Sequence, residues 1–479
     1  MKRYERYAAE IAEMIDKGVL RPGERLPSVR HASTQRRISP ATVFEAYYLL
    51  EARGLIHARA RSGYYVSERL QSRAPQTSRP KQRSAAVAIS DLVFDVLGST
   101  RDRNVVPIGS AFPSAALSPL QTLARHLSHG MRALDPKRIV DDLPPGNERL
   151  RRQIARRYAI DEMRIDPAEI IVTNGALEAL NLCLSAATRP GDTVAVESPT
   201  FYAALQALER LSLKAVEIAT HPRDGIDLDA LETALRRANV KACWLMPNFQ
   251  NPLGSLMPDD KKQSLVALLA KHEVPLIEDD VYAELYFGPR RPLPAKAFDR
   301  KGLVMHCSSF SKCLAPGYRV GWAAAGQFSK QVERMKLMTT LSAAIPSQQA
   351  LSGYLDQGGY DRHLRKLRRV LAAQRDVAMK QVAEYFPEGT RVTRPEGGYF
   401  LWVELPRHID ALELQRQAAS RQISIAPGHL FSADGAYTNC IRLNYGHPDD
   451  QRIGGALRTI GKLAGDLGSG VSPKGARSA

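Results

Sequence analysis

The chain has 479 residues, of which 44% are apolar and 24% are charged. These values exclude a largely disordered, collagen-like or coiled-coil protein, and the length predicts two or three domains. The five cysteines are scattered without CxxC spacing, so we predict neither a disulfide framework nor a metal site. A charged amino terminus, and no apolar run of roughly 18 residues, favour a cytoplasmic protein without a membrane segment.

The net charge of +17 is distributed unevenly along the chain. Residues 1–90 contain 17 Lys and Arg against 8 Asp and Glu, a net charge of +9, so the other 389 residues carry only +8. A small basic unit attached to a nearly balanced large one indicates a polyanion-binding head on a body of another kind. On charge alone, a solvated basic face without a partner is the alternative.

The head is predicted to contain three helices. The first helix is indicated by residues that keep helical spacing: Tyr4, Tyr7, Ala8, Ile11 and Ile15. A short second helix starts near Pro27. The third has Ser39 as its N-cap and Pro40 at its first helical position. Its apolar stripe consists of Val43, Ala46, Tyr47 and Leu50.

A hairpin completes the head. Leu55-Ile56 and Tyr64-Tyr65-Val66 flank a basic turn and predict a two-stranded wing. Three helices and a wing within about 65 residues predict a winged helix-turn-helix domain of α+β class, which we assign to residues 1–66. Residues 67–90 are rich in Ser, Pro, Gln, Arg and Ala without apolar periodicity, which predicts a linker that spans roughly 80 Å when extended.

Residues 91–479 alternate between short apolar strands and longer amphipathic helices. The predicted strands are Ile170–Thr173, Val194–Glu197, Ala215–Ile218, Ala242–Met246, Pro275–Glu278 and Val304–Cys307, and two of the helices are Ala176–Ala187 and Asp259–His272. This order predicts an α/β domain with a mainly parallel sheet covered by helices on both faces. From about residue 351, a long helix, Asp361–Tyr385, and strands at Tyr399–Glu404 and Cys440–Asn444 predict a smaller α+β lobe.

Three segments of the head appear in a specific order: GVLRPGERLPSVR, ISPATVFEAYYLLEARGLI and ARSGYYV. They resemble the winged-helix domain of GntR-family transcription regulators. The resemblance implies that the second helix, the start of the third helix and the wing tip contact a double-stranded DNA operator. The candidate DNA-binding residues are Arg30, Arg36, Ser39, Thr42, Arg61, Ser62 and Gly63. An arginine on the second helix can also clamp a phosphate or a guanine edge.

The head departs from that family at one position. Many members carry a basic residue just after the N-cap of the third helix, where this chain has Pro40. The direct base contact from that position is lost, so the operator sequence does not carry over from the family. A winged helix that contacts protein instead of DNA is the alternative.

A lysine with the surroundings of a covalent cofactor site follows the last predicted strand of the large lobe. Lys312 lies in SSFSK, and a Schiff base with an aldehyde needs such an amine beside the cofactor. Asp279, in IEDDVY, ends another strand, where a carboxylate can keep a pyridine nitrogen protonated. Tyr282 follows three residues later, and this spacing favours Asp279 over its neighbour Asp280.

These motifs resemble the fold-type I aminotransferases, which bind pyridoxal 5′-phosphate. The resemblance spans roughly residues 105–465 and implies that Asn251, in NFQNPLG, and Tyr282 hydrogen-bond the phenolic oxygen of the ring. It also implies the phosphate ligands Ser309, Ser311 and Arg319, and backbone N–H groups of Gly175, Ala176 and Leu177 at a helix N-terminus.

Three further positions complete the comparison with the aminotransferases. Phe201 matches the aromatic residue that stacks on the ring, with Tyr202 as the alternative, and Arg442 matches the arginine that grips the carboxylate of an amino acid. For Arg442 the alternative is an ion-paired surface arginine. Related enzymes often carry a tyrosine where this chain reads IVDDLPPG, with Asp141 and Asp142, so a cofactor contact from that point to a neighbouring subunit is not expected.

The two halves together resemble the MocR subfamily of GntR-type regulators. This resemblance implies a homodimer through the large domains. It also implies that the signal is pyridoxal phosphate, either alone or bound to an amino acid or amine effector. Two functions follow: a DNA-binding regulator with a sensing body, which we favour because an enzyme needs no winged helix, or an active aminotransferase that carries a DNA-binding domain.

Overall fold

The chain divides into two separately packed units, Met1–Ser72 and Arg73–Ala479. The computed structural model describes residues 3–16, 19–21, 23–52, 55–59, 62–66, 74–98, 102, 104–135, 137, 142–161 and 163–468. We call the first unit the head and the second the body. Within the described residues, no helix has the length and apolar character needed to cross a bilayer.

The head is a winged helix-turn-helix. Its elements are α1 (Arg3–Asp16), α2 (Val29–Arg36), α3 (Pro40–Ala52), β1 (Ile56–Arg59) and β2 (Gly63–Val66). The two strands pair antiparallel to form the wing. The predicted third-helix stripe is confirmed, since Val43, Ala46, Tyr47 and Leu50 are fully buried against α1.

The helices of the body are α4 (Ser90–Gly98), α5 (Leu120–Arg132), α6 (Glu148–Ile160), α7 (Ala176–Ala187), α8 (Tyr202–Arg210), α9 (Leu228–Arg237), α10 (Asp259–His272), α11 (Ser329–Thr340), α12 (Ile345–Asp356), α13 (Gly359–Tyr385), α14 (Ala411–Ala419) and α15 (Arg452–Gly468). Its first strands are β3 (Ala85–Ala86), β4 (Ile170–Thr173), β5 (Thr193–Ser198), β6 (Lys214–His221), β7 (Gly225–Ile226), β8 (Val240–Leu245), β9 (Leu276–Asp279), β10 (Val304–Ser309) and β11 (Gly321–Ala324). Each predicted strand of the large lobe is present, with bounds that differ by at most three residues at either end.

The large sheet has the strand order β3-β6-β5-β8-β9-β10-β11-β4, with β7 beside β6. The neighbours from β6 to β10 run parallel, whereas β11 runs antiparallel to both β10 and β4. Alternate residues of β5 point into two buried apolar clusters, Val194 and Val196 into one and Ala195 into the other. Helices therefore cover both faces, as predicted.

The small lobe is built on a second, antiparallel sheet of β12 (Arg391–Val392), β13 (Phe400–Glu404), β15 (Cys440–Asn444) and β14 (Ala426–Pro427), in that order. Residues that precede the large lobe in sequence also pack on this sheet. Val106 forms a parallel bridge with Ile423, and Asn444 N donates to Ile108 O at 2.8 Å. The segment 104–112 thus reaches the small lobe from the other end of the chain.

The predicted linker differs from the structure over its described part. Ala85–Ala86 form β3 at the edge of the large sheet, paired with β6, and both the N–H and hydroxyl groups of Ser90 donate to Glu209. Ser78 is buried against Thr220. Residues 76–90, which we call the strap, therefore lie along the body because β6 offers an unpaired edge. Residues 67–73 of the predicted linker lie outside the described residues.

Candidate functional site

Lys312 lies in the body, three residues after β10 ends. Its Nζ donates to Ala111 O at 2.9 Å and lies 4.1 Å from the centre of the Phe112 ring. Burial lowers the pKa of this amine to about 7, helped by the positive charges of Arg442 and Arg319 and opposed by Asp279. A substantial fraction of the amine is therefore neutral near pH 7, as a nucleophile toward an aldehyde must be.

Asp279 ends β9 and is buried beside β10, where it pairs with Cys307 in the parallel ladder. Burial raises the pKa of this carboxyl to about 7. The positive charge of Lys312 opposes this rise, and the negative charge of Asp280 adds to it. Its Oδ1 is buried without a hydrogen-bond partner, so a ligand with an N–H donor would satisfy it. The neighbouring Asp280 is held differently: its Oδ1 accepts from Asn248 Nδ2 at 2.8 Å, and its Oδ2, also without a hydrogen-bond partner, lies 3.8 Å from Arg291 Nη2.

Arg442 joins the two lobes of the body. It lies on β15 of the small lobe, and its Nη1 donates at 3.0 Å to Oδ1 of Asn251, which follows β8 of the large lobe. Asn251 Nδ2 in turn donates to the Tyr282 hydroxyl at 3.5 Å. The second guanidinium nitrogen, Nη2, donates to Gly109 O at 2.8 Å. The predicted residues Asn251, Tyr282 and Arg442 therefore form one hydrogen-bonded chain.

The Arg442 guanidinium is fully buried, and burial lowers its pKa, with nearby tyrosine hydroxyls raising it. Its carbon lies 4.3 Å from the centre of the Phe400 ring and 5.2 Å from that of Phe431. Nε has no hydrogen-bond partner, and no carboxylate among the described residues forms an ion pair with the side chain. A buried cation without a counter-charge is a favourable site for a ligand carboxylate.

A candidate phosphate cradle forms where β4 leads into α7. Gly175, the N-cap of α7, has φ +88° and provides no side-chain cap, which leaves the first-turn N–H groups of Ala176 and Leu177 available to an anion. A Cβ at Gly175 would collide with the guanidinium of Arg319. The close approach of arginine and helix N-terminus therefore requires glycine here.

The other predicted phosphate ligands lie beside this cradle. Arg319 Nη1 donates to Ser311 Oγ at 3.5 Å and Nη2 to Asn174 O at 3.0 Å, while Ser311 N donates to Ser309 Oγ at 3.3 Å. Hydroxyls, N–H groups and a guanidinium within one loop cluster are the donor set that a phosphate needs. The residues present therefore fit pyridoxal phosphate.

The predicted ring-stacking position remains a prediction. Phe201 is partly buried just before α8, with its ring centre 4.7 Å from that of Tyr202. Tyr202 is buried and packs toward Phe431, with ring centres 6.0 Å apart. The side chain of Tyr202 thus takes part in the wall near Arg442, and Phe201 is the less enclosed of the two.

The acidic residues at the position of the expected tyrosine have a local explanation. Asp142 accepts two hydrogen bonds of 3.2 Å from Asn147 Nδ2, and Asn147 Oδ1 caps α6 by accepting from Leu150 N at 3.0 Å. Asp142 therefore orients a helix cap. Asp141 lies outside the described residues.

Sequence reasoning missed the contribution of residues 109–112 to this site. Their carbonyl groups accept from Arg442, from Lys312 and from Asn444 Nδ2, which donates to Ser110 O at 2.9 Å. Tyr399 Oη also donates to Ala111 O at 3.2 Å. Backbone acceptors leave no signal in residue identity, so no motif could have found them.

Of the candidate DNA-binding residues that the structure describes, Arg30, Arg36 and Ser39 are exposed, and Thr42, Ser62 and Gly63 are half-buried. Arg30 is exposed on the first turn of α2. Ser39 caps α3 by accepting from Thr42 N at 3.1 Å, and the two hydroxyl oxygens are 2.8 Å apart. In the wing, Ser62 Oγ lies 2.6 Å from the Tyr65 hydroxyl. Gly63 has φ +107°.

Two arginines in the head modify the sequence-based assignment. Arg36 forms an ion pair with Glu10 of α1 at 3.2 Å and lies 5.6 Å from the centre of the Tyr7 ring, so its side chain links α2 to α1. Sequence reasoning missed Arg25. Its Nε lies 3.4 Å from the position that a Cβ on Gly63 would occupy, so the positive charge of Arg25 is at the wing. Arg61 lies outside the described residues.

The buried carboxyl of Glu197 predicts a pH-dependent stability of the body. Burial raises its pKa from an ordinary value near 4.5 to about 8, and the charge of Asp279 adds to this, while Met246 N, Gln250 and Lys261 oppose it. The folded chain retains a proton that the unfolded chain loses, so the free energy of unfolding should fall as pH rises from 5 to 8. The slope is at most about 1.4 kcal/mol per pH unit from this group.

Glu197→Gln should remove this part of the slope, measured by chemical denaturation at several pH values. Gln resembles the protonated carboxyl in size and polarity, so the variant should match the wild type near pH 5 and exceed it near pH 8. Equal slopes for the two proteins would contradict the assignment.

Among the described residues, no group of three or more His, Cys, Asp or Glu side chains is placed to hold a metal ion.

Two family models match the chain. The model described as "Aminotransferase class I and II" matches residues 142–460, and "Bacterial regulatory proteins, gntR family" matches residues 3–66. The first covers most of the body and the second nearly all of the head.

Relatives in Escherichia coli K12 match along almost the whole length of the chain. The HTH-type transcriptional regulator YdcR is 49% identical over 97% of this chain and 99% of its own, and YjiR is 38% identical over 96% and 98%. Among solved structures, the multiple substrate aminotransferase from Thermococcus profundus superposes with a TM-score of 0.74 at 27% identity, covering 79% of this chain and 96% of that one.

Proposed function

The chain belongs to the GntR-type transcription regulators that carry an aminotransferase class I and II domain, the MocR architecture, and from this premise we propose how its two units act. The head binds an operator in duplex DNA. The body binds pyridoxal phosphate and an amino compound that changes the affinity for DNA. The observation that carries this proposal is the pocket of Lys312, Asp279 and Arg442 on the same chain as a winged helix. Because its partner is chromosomal DNA, we assign the protein to the cytoplasm.

Pyridoxal phosphate is the cofactor for which this pocket is suited. When bound, it supplies an aldehyde that captures amines and a ring that withdraws electrons. Lys312 would hold the aldehyde carbon, and Asp279 would hold the proton of the ring nitrogen. Asn251 and Tyr282 would bind the phenolic oxygen, and Phe201 would cover the ring face. The phosphate ligands would be Gly175, Ala176, Leu177, Ser309, Ser311 and Arg319.

A homodimer through the body accounts for an exposed apolar patch on α7 and α11. The patch contains Leu177, Leu337, Met338 and Leu341, which are 45%, 47%, 77% and 58% exposed. The helices α7 and α11 pack together, so these side chains form one surface. Large exposed apolar groups next to a ligand site mark a protein contact, and a second copy of this chain is always present as a partner.

The strap contacts both lobes of the body. Near its start, Gln76 N donates at 2.9 Å to Glu404 of β13, in the small lobe. Ser78 Oγ accepts at 2.7 Å from Thr220 N of β6, in the large lobe. A relative movement of the two lobes would therefore displace or strain the strap, which in sequence lies between the head and the rest of the body. Ligand binding to Arg442, which also joins the lobes, would bias this movement.

The experiment that tests DNA binding is a salt titration of affinity with the full-length protein. Each Lys or Arg that neutralises a phosphate contributes a slope of about −0.9 in log affinity against log salt, so we expect a steep fall. Arg30→Ala should cost roughly 1–3 kcal/mol of binding free energy, because an exposed arginine of α2 faces DNA in this fold. The probe is the duplex that the wild type selects from a randomised library.

Arg421→Ala is the matched control, since Arg421 is an exposed arginine of the body. It should leave both affinity and salt slope unchanged. Affinity that is indifferent to salt, or equal for Arg30→Ala and the wild type, would refute the proposed role of the head.

Residual transamination is the second candidate function. A lysine that is partly neutral near pH 7, a carboxyl for the ring nitrogen and an arginine for the substrate carboxylate lie in one pocket, as transamination requires. The head has no part in such a reaction, so we place regulation first. Formation of a keto acid from an amino acid, measured beside the DNA-binding response, separates the two.

A further inference from the structure

The third helix of the head lacks the residues that usually read guanine. Its 13 residues, PATVFEAYYLLEA, include no Lys or Arg. The acidic residues are Glu45 and Glu51, and Glu51 is engaged, because its Oε1 accepts from Ala58 N at 2.8 Å. Arginine or lysine paired with guanine is the commonest specific contact in the major groove. This helix must read bases through hydroxyl and apolar groups.

An aromatic stripe occupies the side of α3 that faces away from the core. Phe44 is 52% exposed and Tyr48 is 53% exposed, although each belongs to a residue type that is usually buried. They are four residues apart and therefore neighbours on one helical face, and the exposed Ala41 lies three residues before Phe44. The stripe is continuous with the Ser39–Thr42 end of the helix.

The distances along the helix place Phe44 near the N-terminal end of α3. With a rise of about 1.5 Å per residue, Phe44 lies about 6 Å and Tyr48 about 12 Å from Pro40 along the axis. The major groove is about 12 Å wide and 8.5 Å deep, and a recognition helix enters it with its N-terminal residues. Phe44, at the start of the second turn, is therefore among the N-terminal residues that such a helix offers to base edges, whereas Tyr48 lies one turn further along.

We propose that Phe44 reads the C5-methyl groups of thymines in the major groove. The inference rests on the proposed DNA binding of the head and adds the chemistry of its specificity. Apolar contact with the thymine methyl is a mode of direct readout open to a helix without cationic side chains. The attraction to phosphate is supplied by arginines outside the helix, including Arg30, and by the basic surroundings of residues 1–90.

The favoured partner is duplex DNA because the stripe adjoins the DNA-facing end of the same helix and the head carries the excess positive charge. A second copy of the head is the other occupant that an apolar stripe could take. These two cases differ in whether thymine methyl groups affect binding, which the following experiment measures.

The experiment uses the full-length protein and the duplex that it selects from a randomised library. Affinity is measured for this duplex and for the same duplex with deoxyuridine in place of each thymidine, which removes only the methyl groups. The wild type should bind the methyl-free duplex roughly tenfold more weakly. Phe44→Ala should lose a similar factor on the thymine duplex and should no longer distinguish the two duplexes.

Arg30→Ala serves as the matched control, because it should weaken binding to both duplexes while keeping their ratio. Phe44 is exposed, so its variant should fold, and the thermal midpoint of the head checks this. Equal wild-type affinity for the two duplexes, or an unchanged ratio in Phe44→Ala, would overturn the proposal while DNA binding stands. A Phe44→Ala variant that only changes self-association would also overturn it. Selection of no duplex at all would refute the proposed function itself.

Discussion

Lys312→Ala should abolish the visible absorbance that pyridoxal phosphate acquires in this protein and its attachment by borohydride. The reason is geometric and electrostatic. Lys312 Nζ is buried in the pocket with a pKa of about 7, so an unprotonated amine is available beside Asp279 at neutral pH. Alanine provides no amine, and no other side chain of the proposed cofactor site carries one.

Folding should survive the Lys312→Ala substitution. The lysine makes one hydrogen bond, to Ala111 O, and one contact with the exposed ring of Phe112. Loss of a single such bond costs about 1 kcal/mol. The measurements are absorbance of purified protein loaded with the cofactor, mass after borohydride reduction, and mass in solution.

Lys330→Ala is the control for Lys312→Ala, since the Lys330 side chain is 91% exposed on α11. It should retain both absorbance and reducible attachment. A Lys312→Ala protein that still gains the cofactor mass after borohydride would show that another lysine holds the cofactor.

Arg442→Ala should keep the cofactor and basal DNA binding but lose the response of DNA binding to a carboxylate-bearing effector. The guanidinium is buried, has an unpartnered Nε and forms no ion pair with a carboxylate of the described residues, so it can pair with a ligand carboxylate. An effector shifts DNA affinity only by its differential binding to two arrangements of the protein, typically about 1–3 kcal/mol or 5- to 150-fold.

The effector is first found by titrating the loaded protein with a panel of amino acids and polyamines and recording the absorbance spectrum. DNA-binding isotherms with and without the responding compound are then measured for the wild type and Arg442→Ala. Arg442→Lys should restore only part of the response, because an ammonium keeps the charge but loses the bidentate geometry.

Two controls separate recognition from damage to the fold. Removing Arg442 leaves Asn251 Oδ1 and Gly109 O without a donor, so the thermal midpoint must be compared with that of the wild type. A polyamine has no carboxylate, and any response to it should persist in Arg442→Ala. An undiminished response to an amino acid in this variant would show that the signal does not pass through Arg442.

Local chemistry in the sequence determined many elements with good accuracy. The bounds of β4, α7, α10 and β15 match their predictions. These bounds follow from local signals: apolar periodicity, a capping serine, and glycine at a helix start. Each signal acts between residues a few positions apart, so the sequence alone is enough to place the ends of these elements. The motifs that carry Lys312, Asp279 and Arg442 are local in the same sense.

The tertiary structure alone decided which distant segments meet. Nothing in the sequence placed β11 antiparallel between β10 and β4, paired the predicted linker with β6, or brought the carbonyls of residues 109–112 to Lys312 and Arg442. The ion pair between Arg36 of α2 and Glu10 of α1 likewise joins two helices that are separate in the sequence. Sheet edges, backbone acceptors and ion pairs between helices depend on which neighbour the whole fold supplies, and residue types in one segment do not encode that choice.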